Sequence, residues 1–555
     1  MKYLTHFETT QDCRTFQHTT DYDLHNVSFV EDTENVIYSQ CLTFKTTSTS
    51  GAIQINKIGA SSSNLNAQIL YAKNNDDWQE YTFDGNSGQV IELASKKDKI
   101  RFKGYNSSMY SYSSNGYYNF SMSGDMVGRG DVTSLINGIG GDAPLPNFAF
   151  YGLFSGCTSM LKSPRIPSTQ LGESCYHNMF KWCSGLKEAP ELPATTMVAR
   201  CYYVMFGNCT FKKAPKMHPT NMATRSWSAM FQNATGLTDV SEITFPDTTA
   251  EYCYGNMFRN TSITNTPYLP STSTTKQCYH QMFNNCHSLT GAQTLPAKTL
   301  AVDCCTYMFG GCYNLKAAPY ICATTFSTGS CFNMFNGCCA MTTPPPVLFP
   351  TVYPQSSCNN MFGYCYSLTA TPIMSAVTQI GKNACQAMFG TCPSLEIVSE
   401  LTSLRTVEQL GMWGMFNYCS SLVSAQTTLP ATSLTQASYA MTYLACTSLK
   451  FAPSLPATNL PKLVYQRMFN GCTALSAAPF LPAVTLGNQS YSFMFSKCTN
   501  LSYIKAMFTT TPGTNFTQNW VDGVKSTGTF VKNSAATWDV RGIHGIPTNW
   551  TVETA

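Results

Sequence analysis

CYHNMFKWCSGLKEAPELPATTMVA, residues Cys175 to Ala199, holds the pattern that decides the fold. In its first half the apolar residues Cys175, Tyr176, Met179, Phe180 and Cys183 stand at i, i+1, i+4, i+5 and i+8. At about 100° per residue they fill an arc of roughly 140°, which predicts a short helix with one buried face. Leu186, Ala189 and Leu192 follow among polar residues, a short extended stretch that Pro190 keeps from forming a long ladder. Pro193 with Thr195 and Thr196 supplies a turn and N-cap oxygens for the next helix. The unit reads as strand, turn, helix.

Working outward, a Met-Phe or related pair with Cys three residues after its second member recurs almost to the C-terminus. The Phe positions are Phe154, Phe180, Phe206, Phe231, Phe258, Phe283, Phe309, Phe335, Phe362, Phe389, Phe416, Tyr443, Phe469 and Phe495, 25 to 27 residues apart. Units this regular cannot bury their apolar faces alone, so they stack as a solenoid. Ser226 and Ala234 stand where Cys is expected, and Thr442-Tyr443 replaces Met-Phe; these units read as degenerate but still stacked.

The words LPATT (Leu192 to Thr196), Cys278-Tyr279 with Met282-Phe283, and FNGCTALSAAPFLPA (Phe469 to Ala483) resemble the BspA-type leucine-rich repeats of gut Bacteroidales surface proteins and of the phages of those bacteria, crAss-like phages included. The resemblance covers about two thirds of the chain. It implies an α/β solenoid, a leucine-rich-repeat horseshoe of about 14 repeats of 25–27 residues with parallel strands on one face. Asn26 to Ser39 (NVSFVEDTENVIYS) resembles an opening segment of gut-phage structural proteins that carry such repeats.

The expected organisation is an attachment segment over residues 1–40, a β-sandwich over 41–140, the solenoid over 141–505 and a β-rich cap over 506–555. The sandwich rests on short alternating runs such as Ala52 to Ile58 and Ile100 to Gly104. The cap rests on Trp520, Trp538 and Trp550 among Gly-centred turns, after the Met-Phe period has stopped. The repeats are expected to hold one another without residues 1–140.

Met1 to Thr10 lacks the apolar run of a signal peptide, and no stretch is long enough to span a membrane. Cysteine pairs such as Cys175 and Cys183 lie about 10 to 12 Å apart on a helix, beyond the roughly 7 Å reach of a disulfide. They are expected to be mostly reduced, small core residues stacked in ladders, while the spacing leaves bridges between cysteines of neighbouring units open. Cys304-Cys305 and Cys338-Cys339 are single extra cysteines and no zinc quartet, so no metal and no cofactor is expected. His177 and His280 share a repeat position two residues after Cys175 and Cys278, which points them away from the thiols rather than into a nucleophilic pair. Gly138 to Ala143 approaches a dinucleotide fingerprint but runs into Pro144 and Pro146. A glycan-cleaving enzyme needs two facing carboxylates, and the array is poor in acids. No enzyme is expected.

The formal charge is +4, which excludes a polybasic nucleic-acid binder. Residues 1–145 hold 11 basic and 16 acidic side chains, whereas the rest holds 23 and 14. Lys162, Arg165, Lys187, Lys212, Lys213 and Lys216 concentrate the excess in the first repeats, a candidate patch for an acidic glycan. The resemblance implies a non-enzymatic phage virion structural protein, a tail or head fibre or appendage made in the host cytoplasm. It would join other virion proteins through residues 1–140, form a homo-oligomer in the particle and bind a host surface glycan or protein through its repeats, with no nucleic acid as partner. The alternative is a bacterial cell-surface adhesin, which should carry a secretion signal or lipoprotein Cys that Met1 to Thr10 does not show.

Overall fold

The computed structural model describes residues 40–106, 111–113 and 115–555. The attachment segment expected before Gln40 and the resemblance at Asn26 to Ser39 lie outside the described residues. Backbone contacts divide the chain into two units, Met1–Thr196 with Cys209–Met217, and Met197–Asn208 with His218–Ala555.

The first unit opens with strands β1 (Leu42–Thr46), β2 (Gly51–Ile58), β3 (Ile69–Lys73), β4 (Gln79–Glu80), β5 (Phe83–Asp84), β6 (Ser87–Gly88), β7 (Ile91–Leu93), β8 (Lys99–Gly104), β9 (Ser111–Ser113), β10 (Gly116–Ser123), β11 (Met126–Arg129) and β12 (Met160–Lys162). One sheet runs β12-β11-β1-β8-β3-β4 and a second β7-β2-β10-β9, with β5 and β6 a small hairpin. Successive strand residues face opposite ways, so Leu42, Phe44, Ile100 and Phe102 of the first sheet and Ile53, Ile55, Tyr118 and Phe120 of the second are buried between them. The Phe44 and Phe102 rings meet Phe120 at 5.8 and 5.3 Å.

Phe120 also starts the stack of coils. Its amide donates to the Leu153 carbonyl at 2.8 Å, its carbonyl accepts the Cys157 thiol at 3.0 Å, and its ring packs on Phe154 at 5.2 Å. β11 pairs in parallel with β12, and Gly128 allows this, because a Cβ there would stand 2.6 Å from the Pro164 nitrogen. The first coil is therefore closed by β10 and β11, a contact within the first unit that the sequence did not show.

The helix expected in each repeat is absent. Ser134–Asn137 forms a single helical turn, and among the described residues no coil contains an α-helix. A ribbon of turns stands in its place. From Arg200 to Asn208, φ is positive at every fourth residue: +53° at Arg200, +53° at Val204 and +62° at Asn208. Amides alternate in direction. Those of Cys201, Tyr203, Met205 and Gly207 donate to the carbonyl three residues back at 3.1–3.3 Å, and those of Tyr202, Val204, Phe206 and Asn208 donate to Ser226, Ser228, Met230 and Gln232 of the next coil at 2.9–3.0 Å. A helix would send every amide four residues back within itself. Here half of the ribbon's amides hold the coils together. The side-chain period is four, which the spacing i, i+1, i+4, i+5, i+8 satisfies, and both apolar pairs turn inward with the final Cys.

Two further ladders run through the core. In the second unit the rings from Phe206 to Phe495 stack at 5.3–5.7 Å with planes within 16° of parallel. The degenerate coils stay in register: Phe231 and Tyr443 each stack on both neighbours, and the buried Tyr443 hydroxyl donates to Gln426. The second cysteine of a coil donates its thiol to the Phe carbonyl of the coil before, as Cys286 does to Phe258 at 2.9 Å and Cys312 to Phe283 at 3.1 Å. The Phe283 carbonyl also accepts the amide of Cys286 at 3.1 Å, so both its lone pairs are used. The described cysteines are free thiols, and all but Cys322 and Cys339 are buried.

Short parallel strands pair the coils between residues 299 and 434. Thr299–Leu300 pairs with Thr325–Phe326, and Val352–Tyr353, Gln379–Ile380, Thr406–Val407 and Ser433–Leu434 pair in succession. Thr299, Thr325 and Thr406 are strand residues, whereas Thr195 and Thr196, read as N-caps, precede no helix and lie in no strand. The stretch before the proline contributes single bridges such as Ala317 to Thr343 and Leu295 to Ile321. At the C-terminus the period continues although the Met-Phe pair does not. Asn519 and Gly523 repeat the positive φ of Phe493 and Lys497, Trp520 is buried beneath Phe495, and Tyr503–Ala506, Thr529–Lys532 and Thr551–Thr554 form a parallel sheet. The Trp520 indole donates to the Gly545 carbonyl at 2.8 Å, and His544 Nδ1 accepts the Asn519 amide at 2.9 Å, so residues 541–546 take the place of a further coil's ribbon. The protein is a solenoid of stacked coils, built from strands and turns.

Candidate binding surfaces

Lys162, Arg165, Lys187, Lys212, Lys213 and Lys216 are all exposed in the first unit. The structure does not gather them into one row. Arg165 donates its Nε to the buried Asp131 carboxylate at 2.7 Å, and the same carboxylate accepts the Gly141 amide at 2.8 Å. Lys162 and Arg165 line a hollow of about 720 Å³ whose wall also carries Asp131, Asp142, Glu188 and Glu191. That hollow is rich in carboxylates.

Lys187 lies elsewhere, one coil on from Leu161, to whose carbonyl its amide donates at 3.0 Å. Thr210 Oγ1 donates to the Ser184 carbonyl at 2.6 Å, which registers Lys213 against Lys187 one coil away. Position for position, later coils carry Thr290, Lys316, Thr342, Glu396, Val423 and Lys450 there, each fixed by the same type of ladder bond. The cation row ends after two rungs.

A different row was missed in the sequence. The residue after the second cysteine of a coil faces outward, and in consecutive coils it is His287, Tyr313, Cys339 and Tyr366. The His287 and Tyr313 rings stack at 4.5 Å and 7°. Backbone bonds from Ala340 to Tyr313 and from Ser367 to Cys339 keep the row in register. Tyr313, Tyr364, Tyr366 and Tyr418 are each about half exposed, with Tyr364 and Tyr418 at left-handed positions of their ribbons. Tyr268, 60% exposed, borders a second hollow of about 910 Å³ with Asp239, Asp247 and Asn265 on its wall. The signal for the aromatic row was the identity of the residue following each Cys, readable once the repeats are aligned.

The thiols and histidines are arranged for packing. Cys175 is fully buried while His177 is half-buried against the Tyr151 ring at 4.5 Å. Burial lowers the pKa of half-buried His280, against an opposing pull from Asp303. Burial pushes the thiols up: Cys201 and Cys209 to about 12, and Cys183 and Cys312 well above their usual value. Cys304 and Cys305, buried with their sulfurs 3.6 Å apart, belong to the core, whereas Cys339 belongs to the outward row. Among the described residues no group of three or more His, Cys, Asp or Glu could hold a metal ion, and no helix is long and apolar enough to cross a membrane.

No family profile and no curated protein matches the chain. Solved structures align with it at low identity. A leucine-rich repeat protein from Bacteroides ovatus has a TM-score of 0.40 at 16% identity over 74% of this chain and 88% of its own. A leucine rich cell surface protein from Faecalibacterium prausnitzii has a TM-score of 0.28 at 14% identity over 74% and 89%. A leucine-rich repeat protein from Eubacterium ventriosum has a TM-score of 0.31 at 13% identity over 61% and 93%.

Proposed function

We propose that this chain is a non-enzymatic binding protein whose stacked coils present a receptor surface for a host glycan or surface protein. The observation that carries the reading is the registered stack itself, in which the core rings repeat at 5.3–5.7 Å and the outward His287 and Tyr313 rings stack at 4.5 Å. Side chains that share a rung position are held in rows, and contacts that are individually weak add along a repetitive ligand. Exposed Tyr313, Tyr364, Tyr366 and Tyr418 supply flat apolar faces, and Lys187, Lys212, Lys213 and Lys216 supply cations. The finer reading is a virion fibre or appendage, supported by the resemblance of its repeats and of Asn26 to Ser39 to gut-phage structural proteins. A cell-surface adhesin is the second reading, supported by the same repeats in Bacteroidales surface proteins.

Two variant sets test the binding reading, one with the four tyrosines changed to Ser and one with the four lysines changed to Ser. Adsorption to host cells is measured at several salt concentrations. Loss of the lysines is expected to remove the salt-sensitive part of adsorption, since exposed charges are screened within about 10 Å at 0.1 M salt. Loss of the tyrosines removes the part that persists at high salt. Adsorption unchanged in both sets would overturn the coil surface as the receptor site. A mass-spectrometric inventory of purified particles, set beside surface labelling of cells, separates virion from adhesin.

A further inference from the structure

After the buried Leu that follows its ribbon, each later coil of the second unit crosses one side of the stack before the next buried aliphatic residue, as Leu395 to Leu401 and Leu449 to Leu455 do. Parallel bridges from Ala370 to Ile397 and from Ser424 to Phe451 hold these segments in register. The amides of Glu396 and Ile397 both donate to the Thr369 carbonyl, and those of Lys450 and Phe451 both donate to the Val423 carbonyl. The two residues after each Leu therefore stand in two columns, one carrying Glu396, Val423 and Lys450 and the other Ile397, Ser424 and Phe451. Ile397 and Phe451 are each 65% exposed. Farther along the segment, Ile373 and Phe480, each set between a buried proline and the buried Met374 or Leu481, are 54% and 51% exposed.

Large apolar side chains gathered on one exposed strip mark a partner surface, and their order says which partner. Counted in coils from Val423, the strip is symmetric in apolar bulk and antisymmetric in charge. One coil earlier stand Glu396 and Ile397, and one coil later Lys450 and Phe451; two coils earlier stands Ile373, and two coils later Phe480. The other charges close by are engaged: the Glu400 carboxylate accepts the Thr427 amide and hydroxyl, and the Lys505 ammonium lies 5.5 Å from the centre of the Phe480 ring. Among the described residues neither Glu396 nor Lys450 has an ion-pair partner.

We propose that a second copy of this chain docks antiparallel on this strip, about a two-fold axis through the coil of Val423. An axis lying in the contact plane along that coil's segment exchanges the coil before with the coil after and leaves each column on itself. It sets Glu396 and Ile397 of either copy against Lys450 and Phe451 of the other, and Ile373 against Phe480. A two-fold contact demands such self-complementarity, because the same patch serves both copies. Copies running parallel would bring Glu396 onto Glu396 and Lys450 onto Lys450, a like-charge arrangement that opposes association. From the coil of Met341 to that of Leu501 the strip spans about 29 Å at a strand spacing of roughly 4.8 Å. At the width of one short segment this is less than the roughly 800 Å² that each copy gives to a standard interface, so the dimer is weak.

The test is sedimentation equilibrium of the full chain at concentrations up to about 200 µM, where a weak dimer is populated. The wild type is expected to pass from monomer to dimer. Glu396→Lys and Lys450→Glu should each weaken self-association about tenfold or more, since like charges then meet at both ends of the contact. Mixed in equal amounts, these two variants should associate as tightly as the wild type, because every contact between them is again Lys against Glu. Val423→Arg, which sets Arg against Arg at the axis, should keep the chain monomeric. All four positions are exposed, and thermal melts by circular dichroism should match the wild type. A wild type that stays monomeric throughout, single variants that dimerise like the wild type, or a mixture no tighter than its components would each overturn the proposal. None of the lysines and tyrosines assigned to the receptor is changed, so failure here leaves the proposed coil surface standing.

Discussion

Ala445 carries the difference between the expected helix and the observed ribbon in one dihedral angle, φ = +59°. A left-handed L-residue costs roughly 1–2 kcal/mol, partly offset in a Gly variant by the greater freedom of the unfolded chain. Ala445→Gly is therefore expected to raise stability by up to about 1 kcal/mol, whereas in a helix the same change costs about 1 kcal/mol. Chemical denaturation of the two proteins gives the sign, and a loss would contradict the ribbon. The sequence could not decide this from its apolar residues. Five positions over nine residues suit a period of 3.6 or 4 equally, because the two drift apart by only about 80° over that span. The deciding signal was polar: Asn178, Asn208, Asn233, Asn256, Asn260 and Asn285 recur at positions of positive φ, which Asn tolerates better than other non-glycine residues. Tyr439 offers a second test at this scale. Its hydroxyl is buried without a partner, so Tyr439→Phe should raise stability by about 1 kcal/mol, measured by the same titration.

At the scale of the element, the cysteine ladder was legible as a buried, reduced row but not as a row of donors, since a thiol's acceptor lies one coil away and leaves no mark in local spacing. Its members now predict a pH dependence. Burial raises Cys209, Cys446 and Cys498 from the usual 9.0 to about 12. The native state keeps these protons at pH values where the unfolded chain has lost them. Unfolding then releases protons, and stability falls as pH rises. The melting temperature should be level up to about pH 8 and decline progressively from pH 9 toward 12. A profile that stays level through that window would contradict thiols that are buried and protonated. In the folded protein an alkylating reagent should reach Cys322 and Cys339 and spare the buried ladder, while after denaturation without reductant nearly all cysteines should react. Cysteines that resist then would indicate disulfides.

For the molecule as a whole, the stack was legible because its words recur, whereas its starting point was not. Phe120 precedes Phe154 by 34 residues, outside the 25 to 27 of the array, and it belongs to a strand whose alternation says sheet and not coil. Yet it performs for the first coil what each Phe does for the next, accepting the Cys157 thiol and covering the Phe154 ring. A chain begun at residue 141 would lose that cover, together with the β11 partner of β12. Leu153, Phe154 and Cys157, no more than 1% exposed in the full chain, would then face water. Burying one large apolar side chain contributes about 1.5–3 kcal/mol, so the first coil should fray while coils far along the stack, each held by its neighbours, keep their structure. Hydrogen exchange followed by mass spectrometry reads both ends at once. Peptides from Phe150 to Lys162 should lose protection in the shortened chain, and peptides between Phe283 and Phe495 should keep theirs. Full protection of Phe150 to Lys162 would mean that the repeats need no leading sheet, and that Phe120 is a neighbour of the stack and not its first rung.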